Sequence, residues 1–346
     1  MASRKDDDES GIAAPRVTTD LFGHGEAERT LLDAYRSGRI AHAWLIGGAR
    51  GIGKATLAYR MARFVLTNPV SALPAVVKAT SLAVDPNNPV ARQVASGAHG
   101  GLLTLERTAN DKGVLRSVIT VDESRETISF FGSTAAVDGW RVCIVDTVDE
   151  LNDNAANALL KIIEEPPARS LFLLISHAPQ RVLATIRSRC RKLNLRPLDE
   201  DDVIRVAALA TGKSESDSEL VAAATAAGGS PGHAIELMGG KTLGLQKQTA
   251  ALLEGLPHLD PRALHALGDQ LPLNDRVALG AFVDSIERWM SEKLHGDDVS
   301  ANLPRLARLA EVWEKIANDA RETEAYNLER KPLVFSAFGM LADATR

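Results

Sequence analysis

A glycine-rich segment that ends in lysine has the residue types and spacing needed to bind a phosphate. From Gly48 the chain reads Gly-Ala-Arg-Gly-Ile-Gly-Lys, with Gly51, Gly53 and Lys54 at the expected positions. Such glycines let successive backbone N–H groups surround an anion, and the lysine adds a positive charge near the outer phosphates. A helix that begins at the lysine would add its dipole. The pattern predicts nucleotide binding by these four residues.

The position after the lysine argues against metal-assisted hydrolysis. A serine or threonine hydroxyl normally binds Mg²⁺ there, but this chain has Ala55. Thr56 carries the next hydroxyl and is kept as a candidate nucleotide-binding residue. One residue further along a helix is a rotation of about 100°, so its side chain would point in a different direction from that of residue 55.

A second candidate is Asp146, at the end of the apolar run Trp140–Asp146. In phosphate-transferring enzymes such a carboxylate holds Mg²⁺, and a Glu directly after it activates water. Here Thr147 follows, while Asp149 and Glu150 lie further on. Two interpretations stay open: a degenerate metal-binding strand, or an ordinary Asp at a strand end.

A basic segment follows between residues 181 and 196, with no acidic residue. The excess positive charge suits a phosphate-bearing partner. The alternative is a solvated helix face whose charges are balanced by neighbours in space. Its basic residues are Arg181, Arg187, Arg189, Arg191, Lys192 and Arg196.

These residues need strands and helices to position them. Apolar runs predict strands at 43–46, 102–105, 118–121, 140–146 and 171–175, and periodicity predicts helices at 21–35, 56–66, 122–131, 153–165, 201–210, 218–227 and 231–238. Residues 67–117 are otherwise predicted irregular because of their prolines.

Beyond residue 241 only helices are predicted, with core stripes at 279–290 and 303–316. The pattern predicts a wound α/β fold with helical appendages. The predicted domains are a disordered tail at 1–16, an α/β core at 17–196, a helical lid at 197–240 and a helical domain at 241–346.

Composition limits the function classes. The 346 residues carry a net charge of −5, so nucleic-acid binding would need a local patch. Two cysteines are too few for a zinc cluster or a disulfide scaffold, and no metal site is predicted. No run approaches the roughly 20 apolar residues of a membrane span. A cytoplasmic setting without membrane contact is expected.

Several separate motifs resemble one family. They are His42-Ala-Trp-Leu45, Asn157-Ala-Leu-Leu-Lys161, Glu164-Glu-Pro-Pro167, Ser188-Arg-Cys190 and Gly229-Ser-Pro-Gly232. Together they resemble the clamp-loader branch of the AAA+ proteins. Within it the chain is most similar to the delta-prime subunits of bacterial DNA polymerase III clamp loaders.

The resemblance implies an AAA+ core with a lid and a helical collar, in a hetero-pentamer that opens a sliding clamp and closes it on primed DNA. Other loader subunits would be direct partners, and the polymerase core an indirect one. Arg189 would act as an arginine finger on ATP bound by a neighbouring subunit. The alternative is that Arg189 pairs with a carboxylate of its own chain.

Departures from the family pattern decide which subunit is implied. Ala55, Thr147 and Gly232 stand where motor subunits carry a metal ligand, a water-activating carboxylate and a lid arginine. A non-hydrolysing subunit is therefore expected, whose loop holds ATP or ADP without efficient hydrolysis or is purely structural. No zinc is expected, because the four-cysteine module of many relatives is missing.

Two other interpretations stay open. An active ATPase motor would have to use Thr56 or water in place of the missing hydroxyl, and Glu150 in place of the missing base. A free-standing nucleotide-sensing regulator is the third interpretation.

Overall fold

The computed structural model describes most of the chain, in two compact units that divide between Ile235 and Glu236. The predicted tail at 1–16 falls largely outside the described residues, as does the boundary predicted at 239–241. The domain limits drawn at 197 and 241 stay predictions. The described residues are 13–108, 118–132, 139–238, 242–273, 275–296, 303–326 and 328–345.

The first unit contains one parallel sheet of five strands. The strands are β1 (Ala43–Gly47), β2 (Leu102–Glu106), β3 (Arg141–Asp146), β4 (Ser170–Ser176) and β5 (Arg191–Asn194). Their order is β2–β3–β4–β1–β5, with all pairs parallel. Every residue of β1 and β4 is buried, as expected for a parallel sheet covered on both faces. The predicted wound α/β fold is confirmed.

Ten helices in the described residues accompany this sheet, the last of them crossing the division between the units. A 3₁₀ turn at Val148–Glu150 follows β3. The helices are α1 (Gly25–Arg36), α2 (Lys54–Thr67), α3 (Pro74–Lys78), α4 (Pro89–Ala95), α5 (Val121–Gly132), α6 (Asp153–Glu164), α7 (Ala184–Arg187), α8 (Glu200–Thr211), α9 (Ser218–Ala226) and α10 (Pro231–Met238).

Three predictions about this unit were wrong. The segment 67–117 contains α3 and α4, because Pro74 and Pro89 occupy first helical positions, where proline is tolerated. No strand forms at 118–121: Ile119 makes only an isolated bridge to Leu151, and α5 begins at Val121. Strand β5 lies in the basic segment and was not predicted, since only Leu193 of its four residues is apolar and buried.

Helices α5 and α6 pack on one face of the sheet. Phe131 of α5 and Leu159 of α6 share a buried cluster with Leu45, Val145 and Phe172 of the strands. Helix α6 begins where predicted, because the Asn152 side chain accepts a hydrogen bond from the amide of Ala155. The helix thus begins shortly after the end of β3, and it ends at Glu164.

The second unit is helical in its described residues. Its helices are α11 (Thr242–Glu254), α12 (Pro261–Asp269), α13 (Arg276–Gly296), α14 (Leu303–Ala325) and α15 (Arg330–Thr345). The first predicted stripe is core, with Phe282 and Ile286 fully buried. In the second predicted stripe, Leu309 and Ile316 are buried. For Leu303 and Leu306 the structure describes the helix but not the side chains. Among the described helices, none combines the length and apolar character required to span a membrane.

Candidate functional site at the carboxyl edge of the sheet

The strand register brings the predicted phosphate loop and Asp146 to the same edge of the sheet. Gly47 at the end of β1 pairs with Ser176 at the end of β4, and Asp146 at the end of β3 pairs with Ile175. The loop leaves β1 at Gly48, and α2 begins at Lys54. In open α/β sheets, ligands bind at this carboxyl edge, near the point where the strand order reverses.

The loop has the backbone shape of a phosphate cradle. The φ angles of Gly48, Gly51 and Gly53 are 143°, 75° and 99°, in the region that favours glycine. A Cβ atom at Gly48 would lie 2.8 Å from the carbonyl oxygen of Leu195. The glycines are therefore required by the fold itself, whether or not an anion binds.

Lys54 is turned into its own loop. The residue is 3% exposed, and Nζ donates hydrogen bonds to the carbonyl oxygens of Gly48, at 2.6 Å, and Ala49. Burial lowers the pKa of Lys54 to about 8, although Asp146 and Asp149 favour the charged form. Two of the three N–H donors of this ammonium are therefore used within the loop.

The turn that begins α10 lies directly on the loop. The Gly232 amide donates to the Gly51 carbonyl oxygen at 3.0 Å, and Ser230 Oγ donates to that of Arg50 at 2.9 Å. A Cβ atom on Gly232 would lie 2.9 Å from Gly51 Cα. An arginine cannot occupy position 232 unless the loop or the turn moves.

The two carboxylates beyond β3 both have partners. Asp149 accepts hydrogen bonds from Ser176 Oγ, at 2.7 Å, and from the His177 amide. Glu150 forms an ion pair with Arg107 at 2.9 Å. Burial raises the pKa of Glu150, with Arg107 opposing the shift. The partners lie dozens of residues away in sequence, which explains why these roles were not predicted.

The residues that replace the missing catalytic groups offer little to a metal ion. Ala55 has no side-chain oxygen, and Thr56 is half-buried on the first turn of α2. The hydroxyl of Thr147 is buried and has no hydrogen-bond partner among the described residues. The site therefore fits an anion in the cradle, held by the three glycines and Lys54, better than it fits a bound Mg²⁺.

Arg189 lies away from this site. Strand β5 runs parallel to β1, with Arg191 beside Trp44 and Asn194 beside Gly47. Arg189 precedes Arg191, so it lies toward the amino ends of the strands, whereas the loop lies at their carboxyl ends. The fold separates Arg189 from the phosphate loop of its own chain.

The Arg189 side chain is exposed and paired. Nη2 lies 2.6 Å from Glu164 Oε1, and Nη1 donates to the Thr185 carbonyl oxygen at 2.9 Å. The side chains of Arg189 and Glu164 are 38% and 46% exposed. A pair within its own chain, the alternative weighed for Arg189, is thus present. Action on a neighbouring subunit stays a prediction.

The other basic residues do not form one helix face. The segment consists of the short α7, a turn and β5, with Arg181, Lys192 and Arg196 exposed. Arg187 donates to the Gln180 carbonyl oxygen at 2.7 Å, and the Arg191 guanidinium lies 4.8 Å from the Trp44 ring centroid. Contact with DNA by this segment stays a prediction.

Comparisons with known proteins find subunits of DNA polymerase III among the similar sequences. A family model described as "DNA polymerase III, delta subunit" matches residues 23–199. The DNA polymerase III subunit delta' of Pseudomonas aeruginosa is 34% identical, over 63% of this chain and 61% of its own length. That of Escherichia coli is 34% identical, over 61% and 58%. The chain spans about three fifths of the length of these relatives.

Among solved structures, a DNA polymerase III gamma subunit-related protein of Thermotoga maritima aligns with 91% of this chain and 99% of its own. The sequence identity is 15% and the TM-score is 0.41.

Proposed function

This chain belongs to the DNA polymerase III delta-subunit family, and from that premise we propose that it is a non-hydrolysing, delta-prime-like subunit of a replicative clamp loader. Its direct partners are other loader subunits in a hetero-pentamer. Through them it takes part in loading the sliding clamp on primed DNA, with the polymerase core as an indirect partner. Arg189 acts in trans on ATP bound by the adjacent motor subunit.

The contact between Gly232 and Gly51 carries the non-hydrolysing part of this proposal. A motor subunit uses a lid arginine at this position to contact phosphate, and here the space is occupied by backbone. Ala55 and Thr147 remove two further parts of a hydrolytic site. Asp149 and Glu150 have partners of their own, which weakens the rival proposal of an active motor that uses Glu150 as its base.

The position of Arg189 supports its action on a neighbour. It lies at the edge of the sheet opposite the loop, so it is badly placed to serve its own chain. Its guanidinium is exposed at the surface, where a neighbouring subunit can bring a phosphate. A guanidinium in this role neutralises charge on the transferring phosphoryl group, and supplying it in trans makes hydrolysis depend on assembly.

A nucleotide held by this chain would be a ligand without turnover. Gly48, Gly51, Gly53 and Lys54 would contact the phosphates of ATP or ADP, with Thr56 and Asp146 nearby as the remaining polar candidates. No side-chain oxygen at position 55 would hold Mg²⁺ against them. Binding would therefore stabilise the fold without driving a cycle.

The test is a reconstituted loader in which only the motor subunit adjacent to this chain can hydrolyse ATP. The Arg189→Ala complex should assemble with unchanged stoichiometry and hydrolyse ATP about 10³-fold more slowly in a single turnover, the low end for such arginines. Arg181→Ala is the matched control, because it removes an exposed arginine from the same segment. An unchanged rate in the Arg189→Ala complex would refute the trans role.

The isolated chain tests the rival proposal of an active ATPase motor. It should show no Mg²⁺-dependent ATP hydrolysis above that of a Lys54→Ala variant. Turnover that disappears with Lys54 would instead identify this chain as a motor.

A further inference from the structure

The guanidinium of Arg189 is held by acceptors from its own chain. Besides Glu164 Oε1 and the Thr185 carbonyl oxygen, Nη1 also reaches Ser188 Oγ at 3.4 Å. The side chain nevertheless keeps 38% of its surface exposed. An arginine side chain has many rotamers in solution, and these contacts favour one orientation at the surface.

Helices α6 and α7, which lie next to this ion pair in the chain, are anchored in the hydrophobic core. Ile163, next to Glu164 on α6, and Ile186 on α7 are each 1% exposed and belong to the same buried cluster. Helix α6 ends at Glu164, because the following residue precedes Pro166 and adopts a non-helical conformation, with a φ of −126°. The exposed ion pair is thus attached to two helices that are packed into the core.

The charge at the end of α6 gives a second reason to single out Glu164. The carboxyl end of a helix carries partial negative charge, which repels a carboxylate in its last turn. Arg189 supplies the compensating positive charge at 2.6 Å. Glu164 is unfavourable for the helix alone, and the ion pair with Arg189 offsets this cost.

We propose that Glu164 is a positioning residue for Arg189, an inference that rests on the proposed trans role of Arg189. Glu164 and the Thr185 carbonyl fix the guanidinium before the subunits meet. Less conformational entropy is then lost when the neighbour's phosphate arrives, which is the general advantage of preorganised groups. The exposed N–H groups that remain make the contact with the phosphate.

The experiment uses the reconstituted loader with a single hydrolysing neighbour. Glu164→Ala should lower the single-turnover rate constant roughly 3- to 10-fold, with the half-saturating ATP concentration unchanged. This loss is smaller than the roughly 10²-fold for a catalytic group misplaced by about 1 Å, because Arg189 itself is still present. Glu165→Ala is the matched control: it removes an adjacent exposed carboxylate and should leave the rate as in the wild type. Glu164→Ala added to Arg189→Ala should slow the reaction no further.

Other outcomes separate the positioning role of Glu164 from the proposed trans role of Arg189. A Glu164→Ala complex that is as fast as the wild type, or faster, overturns the positioning role while Arg189→Ala remains slow. An additive loss in the double variant also overturns it, because Glu164 would then act independently of Arg189. If Arg189→Ala has no effect, the proposed function itself fails. Glu164→Gln, which keeps an acceptor oxygen, should give an intermediate rate and serves if Glu164→Ala does not assemble.

Discussion

The phosphate loop and the turn between α7 and β5 each contain a positively charged side chain, Lys54 and Arg189, but the two differ in exposure. Lys54 is 3% exposed and binds two carbonyl oxygens of its own loop, and the loop is covered by the turn at 230–232. Arg189 is 38% exposed, and its main partner is a carboxylate that is itself exposed. The first arrangement stabilises the fold, whereas the second remains accessible to another molecule. One sheet thus carries an inward-facing site at one edge and an outward-facing cation at the other.

The largest effect on stability is expected for Gly51→Ala. Its φ of 75° is unfavourable for alanine, and the new Cβ would lie 2.5 Å from Ser230 Oγ and 3.2 Å from Gly232 Cα. Left-handed backbone strain and overpacking together should lower the free energy of unfolding by about 2–4 kcal/mol, measured by urea unfolding.

Gly97→Ala separates the two contributions. Gly97 has a φ of 73°, but among the described residues no heavy atom outside its two chain neighbours lies within 4 Å of the position that a Cβ would take there. This variant should lose only the backbone contribution, about 1–2 kcal/mol. Equal losses in the two variants would mean that the turn at 230–232 yields easily, and that the loop is less tightly covered than its contacts indicate.

A smaller effect is expected in the pH dependence of stability, through Lys54. Its pKa is about 8 in the folded chain, against 10.5 for an ordinary lysine. Between these values the unfolded chain binds the proton and the folded chain does not, so stability should rise with pH across this window. A difference of about 2.5 in pKa corresponds to at most about 3 kcal/mol.

Lys54→Met should remove this rise, as measured by urea unfolding at about pH 7.5, 9 and 10.5, which span the window between the two pKa values. Lys78→Met is the control: it removes an exposed lysine, and the rise of stability with pH should remain. If Lys54→Met and the wild type show parallel pH profiles, the ammonium is not buried as its contacts indicate, and the contrast with Arg189 fails.

Prediction from sequence succeeded where the signal is local. The glycines at 48, 51 and 53 and the buried strands β1, β3 and β4 follow from residue types at short spacing. It failed at β5, because an edge strand with one buried residue has no distinct apolar pattern. The proline rule misled at α3 and α4, because proline breaks a helix interior but is tolerated at the first position.

The contacts of the site were beyond such reasoning. Gly232 was singled out as a departure from a motif, but its backbone contact with Gly51 joins residues 181 positions apart. The pairs formed by Arg107 with Glu150 and by Glu164 with Arg189 likewise depend on how strands and helices are arranged. The sequence analysis named Glu150 and Arg189 as candidates, but it did not identify Arg107 or Glu164 as their partners.

The smallest effect on stability is expected for Arg189→Ala. An exposed ion pair contributes about 0–1 kcal/mol, so urea unfolding should change by no more than that. Lys331→Ala is a matched control in the second unit, where Lys331 pairs with Asp269 at 2.6 Å and is 37% exposed. Both variants should fold as well as the wild type, but only Arg189→Ala should slow hydrolysis by a neighbouring subunit. A loss above about 2 kcal/mol in Arg189→Ala alone would mean that its pair with Glu164 is structural, and the two edges of the sheet would then differ in exposure without differing in role.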